Sequence, residues 1–459
     1  MSSFSLLSDF FKQFQIPIVI LDLETTGGDL YQDRITEIAF LHFYQGEVHT
    51  FSQLVQPQQN ISSFVAQLTG ITDEMLVDKP LFGEIWAEIE PYLRGSLLIA
   101  HNSQFDYAFL RHETRRQHIS FAMHTLCSVK LSRRLYPMFH KHSLDAIIER
   151  HHLPIQSRHR ALSDVLSLAH FLQLALSEQG EQVLYETMQS LVNPKLLPKD
   201  LPASLYRDIH QLSDYYGVTL WYNHQGELVS LQTHEKTFSE CVWQLRRQPT
   251  LAQNIQHISF YPAIGALHAY AIKAKLVHQH QWLSNEQTGR HTIVFNYGDD
   301  GCLKARVREL KTGFQTAAPT GLFFNNKAAK RALNEWAKQH HICPTQLGIL
   351  PNELPKNAPC PAFLVNGCTS ACQNQDSEAH NLAVQAALSA LPISDWGKQT
   401  QCTFLETDDI TGEELAFIAE SGALYCGELG WYAECGLLDV FKRYHKSKKT
   451  KNLSKQSIK

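Results

Sequence analysis

The sequence contains no run of roughly 18 unbroken apolar residues, the length a membrane-spanning helix needs, because Lys, His or Pro cuts each candidate stretch. No membrane span and no membrane partner are expected. Cysteine is sparse, ten in 459 residues, too thin for the disulfide framework of a secreted scaffold. The opening stretch MSSFSLLSDFFKQFQIPIVI lacks a basic start and a small-residue cleavage signal, and Asp9 and Lys12 interrupt it. It is read as the mature N-terminus of a cytoplasmic protein. Internal repeats at periods of 20–50 residues are absent as well. Charge of one sign is not in excess: 41 Lys and Arg face 45 Asp and Glu, for a net charge of -4. A near-neutral total neither favours nor excludes a polyanionic partner, since an acidic metal site offsets a basic footprint.

What is present is the composition of a globular chain, 44% hydrophobic and 19% charged, long enough for two or three domains. Ile18 to Leu23 is a β-branched apolar run of strand length. Strand patterns follow at Ile35–Tyr44 and Glu47–Val55. Phe82–Leu93 has helical spacing, Ser96–Ala100 reads as a short buried strand, and Gln104–Gln117 and Arg160–Leu176 read as amphipathic helices. The order predicts an α/β domain over 1–180. Asn193-Pro194, Leu197-Pro198 and Leu201-Pro202 break helices, so 181–205 reads as a linker. Strands at Gly217–Asn223 and Glu227–Leu231 around a His224-Gln225-Gly226 turn, with helices near 236–247 and 263–280, predict a small α/β domain over 206–287. Residues 288–441 read as helical and loop-rich, and 442–459 as a basic tail, either a phosphate-binding arm or a solubilising one.

Asp22 and Glu24 close the first strand two positions apart, on one face. Two adjacent acids repel unless a cation separates them, and oxygen ligands of this kind suit Mg²⁺ or Mn²⁺. An Asp-x-Glu pair at a strand end is also common by chance. Asp106, in His101-Asn102-Ser103-Gln104-Phe105-Asp106, follows a buried strand at the place where α/β sites are built, although an aspartate there also serves a helix dipole. His159 and Asp164 open the helix whose Leu162, Val165, Leu166 and Ala169 form the core stripe. In a chain with 24 histidines this spacing alone means little.

Taken together and in order, Asp-x-Glu, His-Asn-x-x-Phe-Asp and His-x4-Asp resemble the DEDDh branch of the DnaQ-like exonuclease family, over about residues 14–178. Leu68-Thr69-Gly70-Ile71 and Asp73 match its Leu-Thr-Gly-Ile segment. The resemblance implies an RNase H-like mixed sheet and two Mg²⁺ or Mn²⁺ ions. Asp22, Glu24, Asp106 and Asp164 would be the metal ligands and His159 the general base. It also implies contact of Thr25, Thr26, Leu68, Thr69, Gly70, His101 and Asn102 with the 3′ end of a nucleic acid. DNA is the expected substrate, in repair or proofreading with replication or repair proteins as partners. The alternatives are an RNA or small-oligonucleotide exonuclease and a noncatalytic DNA-binding scaffold.

Residues 212–285 resemble the GIY-YIG nuclease domain of the UvrC/Cho excision endonucleases in framework only. Gly217-Val218-Thr219 stands at the Gly-Val-Tyr position and Ser230-Leu231-Gln232 at Tyr-Val-Gly. The alignment places Glu240 at the phosphate-binding Arg and Lys273 at the metal-binding Glu, so both charges are inverted and the domain is expected not to cut. Cys343, Cys360, Cys368 and Cys372 gather within 30 residues. They are read as ligands of one structural centre, zinc or an iron–sulfur cluster, or as four buried reduced thiols. Cys360-Pro361-Ala362-Phe363 through Gly367-Cys368-Thr369-Ser370-Ala371-Cys372 resembles the cysteine segment that follows the GIY-YIG domain in that family.

Overall fold

The structure, a computed structural model, describes residues 4–155, 158–282, 287–350, 376–392 and 401–446. They divide into two compact units, Met1–Ala263 with Asp408–Glu413, and Ile264–Thr407 with Glu414–Lys459. No helix among the described residues is long and apolar enough to cross a membrane.

In the first unit, strands β1 (Ile18–Thr25), β2 (Ile35–Tyr44), β3 (Glu47–Leu54), β4 (Leu97–Ala100) and β5 (His124–Cys127) form one sheet in the order β3-β2-β1-β4-β5. β1 to β3 run antiparallel, and β4 and β5 join parallel to β1. Both faces are covered, so β1 opens on four consecutive apolar residues, Ile18 to Leu21, before Asp22. Its two-residue period still sorts the side chains. Val19, Leu21 and Leu23 pack with Ile85, Trp86 and Ile89 of helix Phe82–Leu93. Ile18 and Ile20 pack with Leu168, Phe171 and Leu172 of helix Ala161–Gln179. Asp22 and Glu24 continue the second row, toward the helix that carries Asp164.

The expected linker at 181–205 is in part a helix, Glu181–Leu191, whose Leu184 and Met188 are buried one turn apart against the same core. The helix-breaking prolines begin only at Pro194, and nothing before them forbids a helix. Strands β6 (Gly217–Asn223), β7 (Leu228–His234) and β8 (Ile255–Pro262) make a second, antiparallel sheet in the order β7-β6-β8. Helix Thr237–Arg247 lays Phe238, Cys241, Val242 and Leu245 on it, at the spacing of one helical face. The sequence reading missed β8, and its domain boundary at 287 is replaced: helix Ala266–Gln279 falls in the second unit. Conversely, the turn Asp408–Glu413 belongs to the first unit, where Asp408 accepts from Arg115 at 2.7 Å.

The second unit carries β9 (Gln287–Tyr297), β10 (Leu303–Lys311), β11 (Gly313–Gln315), β12 (Thr320–Phe323), β13 (Gln401–Thr407), β14 (Glu414–Glu420), β15 (Ala423–Tyr425) and β16 (Trp431–Ala433). They form the sheets β10-β9-β12 and β11-β16-β15-β14-β13. Helices Asn326–Gln339 and Ser377–Ala387 pack with these strands, and the expected helical, loop-rich region is therefore mixed α/β. Alternating stretches such as Leu303-Lys304-Ala305-Arg306-Val307-Arg308 carried the strand period. The expected tail is shortened as well, because residues 442–446 finish helix Cys435–Lys446.

Candidate active site

Three of the four expected ligands converge. Asp22, Glu24 and Asp164 each offer a carboxylate oxygen, and these atoms lie within 4.8 Å of one another. Asp106 enters from the first turn of helix Ser103–Arg116 and is 2% exposed. Its charge is felt at Asp22.

Burial first, then the charges of Asp106, Asp164 and Glu24, hold the Asp22 carboxyl well above the ordinary range, against Arg158. Burial pushes Glu24 up to about 8, with Asp164 and Glu37 adding and Arg158 opposing. Burial also lifts Asp106 to about 7, opposed by backbone hydrogen bonds at Asp106 and Leu23. Asp164 is raised by burial against its hydrogen bond from Arg158. Four desolvated acids in one cleft cannot all ionise without positive charge between them. Their oxygen donors fit hard divalent cations.

Two residues supply local positive charge. The Arg158 guanidinium donates to both Asp145 and Asp164. Arg160 makes a two-pronged pair with Glu37, at 2.9 and 3.1 Å, and Glu37 also accepts the Ala161 amide at 3.0 Å. Glu37 lies opposite Glu24 in the β1–β2 register. It therefore anchors the start of helix Ala161–Gln179, and with it Asp164, to the sheet beside Glu24. His159 sits between these arginines with φ of 56°. That left-handed backbone turns the chain into the helix, and the imidazole acts on the charges of both Asp145 and Asp164.

The expected substrate contacts separate into free and committed groups. The Thr26 hydroxyl donates to Asp33 at 2.8 Å and accepts from the Arg34 amide at 3.0 Å and from Gln59. It braces the loop after β1. Thr25 donates to the Gly27 carbonyl at 2.6 Å. Thr69 is buried, bonding Val65 and the Ile71 amide, and Gly70 ends its helix at φ of 69°. Leu68 is 44% exposed. Asn102 is exposed and left-handed at φ of 73°. His101 meets Ser128 at 2.9 Å, and its pKa is lowered to about 4 by burial and by Arg158, so it is neutral. Glu37, Arg158 and Asp33 escaped the sequence reading. Arg158 adjoins His159 and could have been flagged, whereas Glu37 gains its role only from strand register.

Thr219 of β6 and Glu240, in the first turn of helix Thr237–Arg247, are joined through His234 in a hydrogen-bonded chain. Trp221 donates to Thr219 at 2.7 Å, Thr219 meets His234 at 2.8 Å, and His234 meets Glu240 at 3.0 Å. Glu240 also accepts the Glu235 and Lys236 amides, at 3.1 and 2.9 Å. In the second unit, Lys273 is paired at 2.5 Å with Glu434, which also accepts from Tyr432 at 2.7 Å. Cys343 is buried, while Cys360, Cys368 and Cys372 lie outside the described residues.

Residues 19–172, which hold all five expected residues of the site, match the Exonuclease family. The first domain is an exonuclease-family domain. Residues 298–390 match the middle domain of the UvrC/Cho excinuclease family. A PolC-type DNA polymerase III of Caldanaerobacter subterraneus subsp. tengcongensis is 32% identical over 189 residues, 40% of this chain and 14% of its own. The 3′-5′ exonuclease DinG of Staphylococcus epidermidis is 30% identical over 199 residues, 43% of this chain and 22% of its own. The chain therefore spans a small fraction of these relatives' length. The solved structure of exonuclease X in complex with 5′ overhanging duplex DNA is 30% identical. It covers 37% of this chain and 99% of its own, at a TM-score of 0.30.

Proposed function

We propose that the exonuclease domain hydrolyses phosphodiester bonds one nucleotide at a time from the 3′ end of DNA. The observation that carries this reading is the convergence of Asp22, Glu24 and Asp164, with their oxygens within 4.8 Å and Asp106 beside them. Asp22, Glu24, Asp164 and Asp106 would together hold two Mg²⁺ or Mn²⁺ ions. When bound, such a pair supplies an activated water and a clamp on the leaving oxygen. His159 would take the proton from the water as general base. Glu37 and Arg160 hold the strand and helix carrying these groups in place. Leu68 and Asn102, both exposed, are the side chains available to the terminal nucleotide.

The names of the relatives favour DNA over RNA and repair or replication as the setting. The β6–β8 sheet, with Thr219 and Glu240 joined through His234, is proposed as a noncatalytic platform for nucleic acid or a protein partner. Digestion of 5′-labelled single-stranded DNA, duplex DNA and RNA with Mg²⁺ tests the reading. The expected product is a ladder shortening from the 3′ end and stopping in EDTA, with DNA preferred. Shortening from the 5′ end, or a ladder indifferent to EDTA, overturns it.

A further inference from the structure

We propose that the exposed β10 side of the β10-β9-β12 sheet, with Phe324 beyond β12, is a docking strip for single-stranded nucleic acid, with phosphates on Arg306 and Arg308 and a base on Phe324. One face of the sheet is fully committed to the core, and on the other the buried Leu322 lies beside Gly422 and Leu438 of helix Cys435–Lys446, so that only the β10 side and Phe324 remain open. Leu303, Ala305 and Ile293 pack against Ala329, Leu333 and Trp336 of helix Asn326–Gln339. The alternate positions of β10, Lys304, Arg306 and Arg308, therefore point away from that core. Their β9 partners on that face are Asn296, Val294 and Thr292.

Arg306 and Arg308 are exposed, and neither has an ion-pair partner among the described residues. This sets them apart from Arg34, Arg115 and Arg160, each of which holds a carboxylate. Lys304, at the end of the row, is bonded to Asp300 at 2.6 Å. One residue beyond β12, Phe324 is 63% exposed, while its neighbour Phe323 is fully buried in the core. The Arg290 guanidinium, on the same face as Thr292 and Val294, lies 5.1 Å from the Phe324 ring centre. Cations in a row with an aromatic face at one end are the chemistry that holds a single strand.

The spacing selects an extended polyanion over a lone anion. Alternate residues of a strand stand roughly 6.6–6.8 Å apart, so one small anion engages only one guanidinium. A polymer carrying a charge on each unit engages the row. An acidic peptide meets the charges but has no planar group for Phe324, which favours nucleic acid. The strip lies in the second unit and does not rest on the exonuclease reading.

The test is fluorescence anisotropy with labelled oligo(dT) and oligo(rU) on the full chain carrying Asp22→Ala, in EDTA, so that hydrolysis plays no part. Adding Arg306→Ala with Arg308→Ala is expected to weaken binding about tenfold or more at low salt. It should also lower the slope of log affinity against log salt by about 1.4, two contacts at roughly 0.7 each. Arg306→Lys with Arg308→Lys should keep most of the slope. Phe324→Ala is expected to weaken binding roughly 5- to 100-fold with the slope unchanged. Affinity and slope unaltered by the Ala pair, with an unaltered melt, overturn the strip. Equal competition by poly-glutamate overturns nucleic acid as its occupant.

Discussion

A carboxyl whose pKa rises on folding holds its proton more tightly in the folded chain than in the unfolded one. The metal-free protein should therefore lose stability as pH climbs from the ordinary carboxylate range near 4 toward about 8, the value reached by Glu24. Thermal melts in EDTA between pH 5 and 8 should show the midpoint falling, and the gain from added Mn²⁺ should grow over the same window as the ligands ionise. In Glu24→Gln both trends should shrink. A fall of equal size in that variant contradicts the origin given to it. His159 makes a separate residue-scale prediction. His159→Ala should slow hydrolysis by roughly 10²–10⁴-fold, the usual worth of general-base transfer, while Mn²⁺ still raises the melting midpoint as in the wild type. An unchanged rate and pH profile would reduce His159 to a surface imidazole.

At the scale of elements, the site depends on one strand and two helix starts meeting. Glu37→Gln should loosen that meeting by leaving Arg160 without its carboxylate, at about 1–3 kcal/mol for a charge-assisted bond, and should lower turnover through misplaced Asp164. A melt and a rate equal to wild type would show that helix Ala161–Gln179 needs no such anchor. The two-residue period of β1 and the polar residues interrupting its apolar row were legible in the sequence, and they placed Asp22 and Glu24 on one face. The Glu24–Glu37 juxtaposition was not legible, because it arises from the pairing of β1 with β2. The commitment of Thr26 was hidden for a similar reason: Asp33, Arg34 and Gln59 reach it only once the loop has closed. Helix Glu181–Leu191 was masked by the prolines that follow from Pro194, although Leu184 and Met188 carry its helical spacing. The alternation in β10 was present in the sequence but masked by its arginines, which leave only small or isolated apolar residues between them.

For the whole molecule, hydrolysis is proposed to be confined to the exonuclease domain. The hydrogen-bond chain through Thr219, His234 and Glu240, and the separate pairing of Lys273 with Glu434, leave neither family position free. The full chain carrying Asp22→Ala should therefore fail to nick circular DNA with Mg²⁺ or Mn²⁺, and metal-dependent nicking by it would show a second active centre. The measurement that bears most directly on the central claim is nucleotide release from a 3′-labelled single strand, comparing wild type with Asp22→Ala in Mg²⁺. Mononucleotide release by the wild type and a loss of roughly 10³-fold or more in the variant are expected, since Asp22→Ala removes a proposed metal ligand. Release by Asp22→Ala at the wild-type rate would contradict the claim.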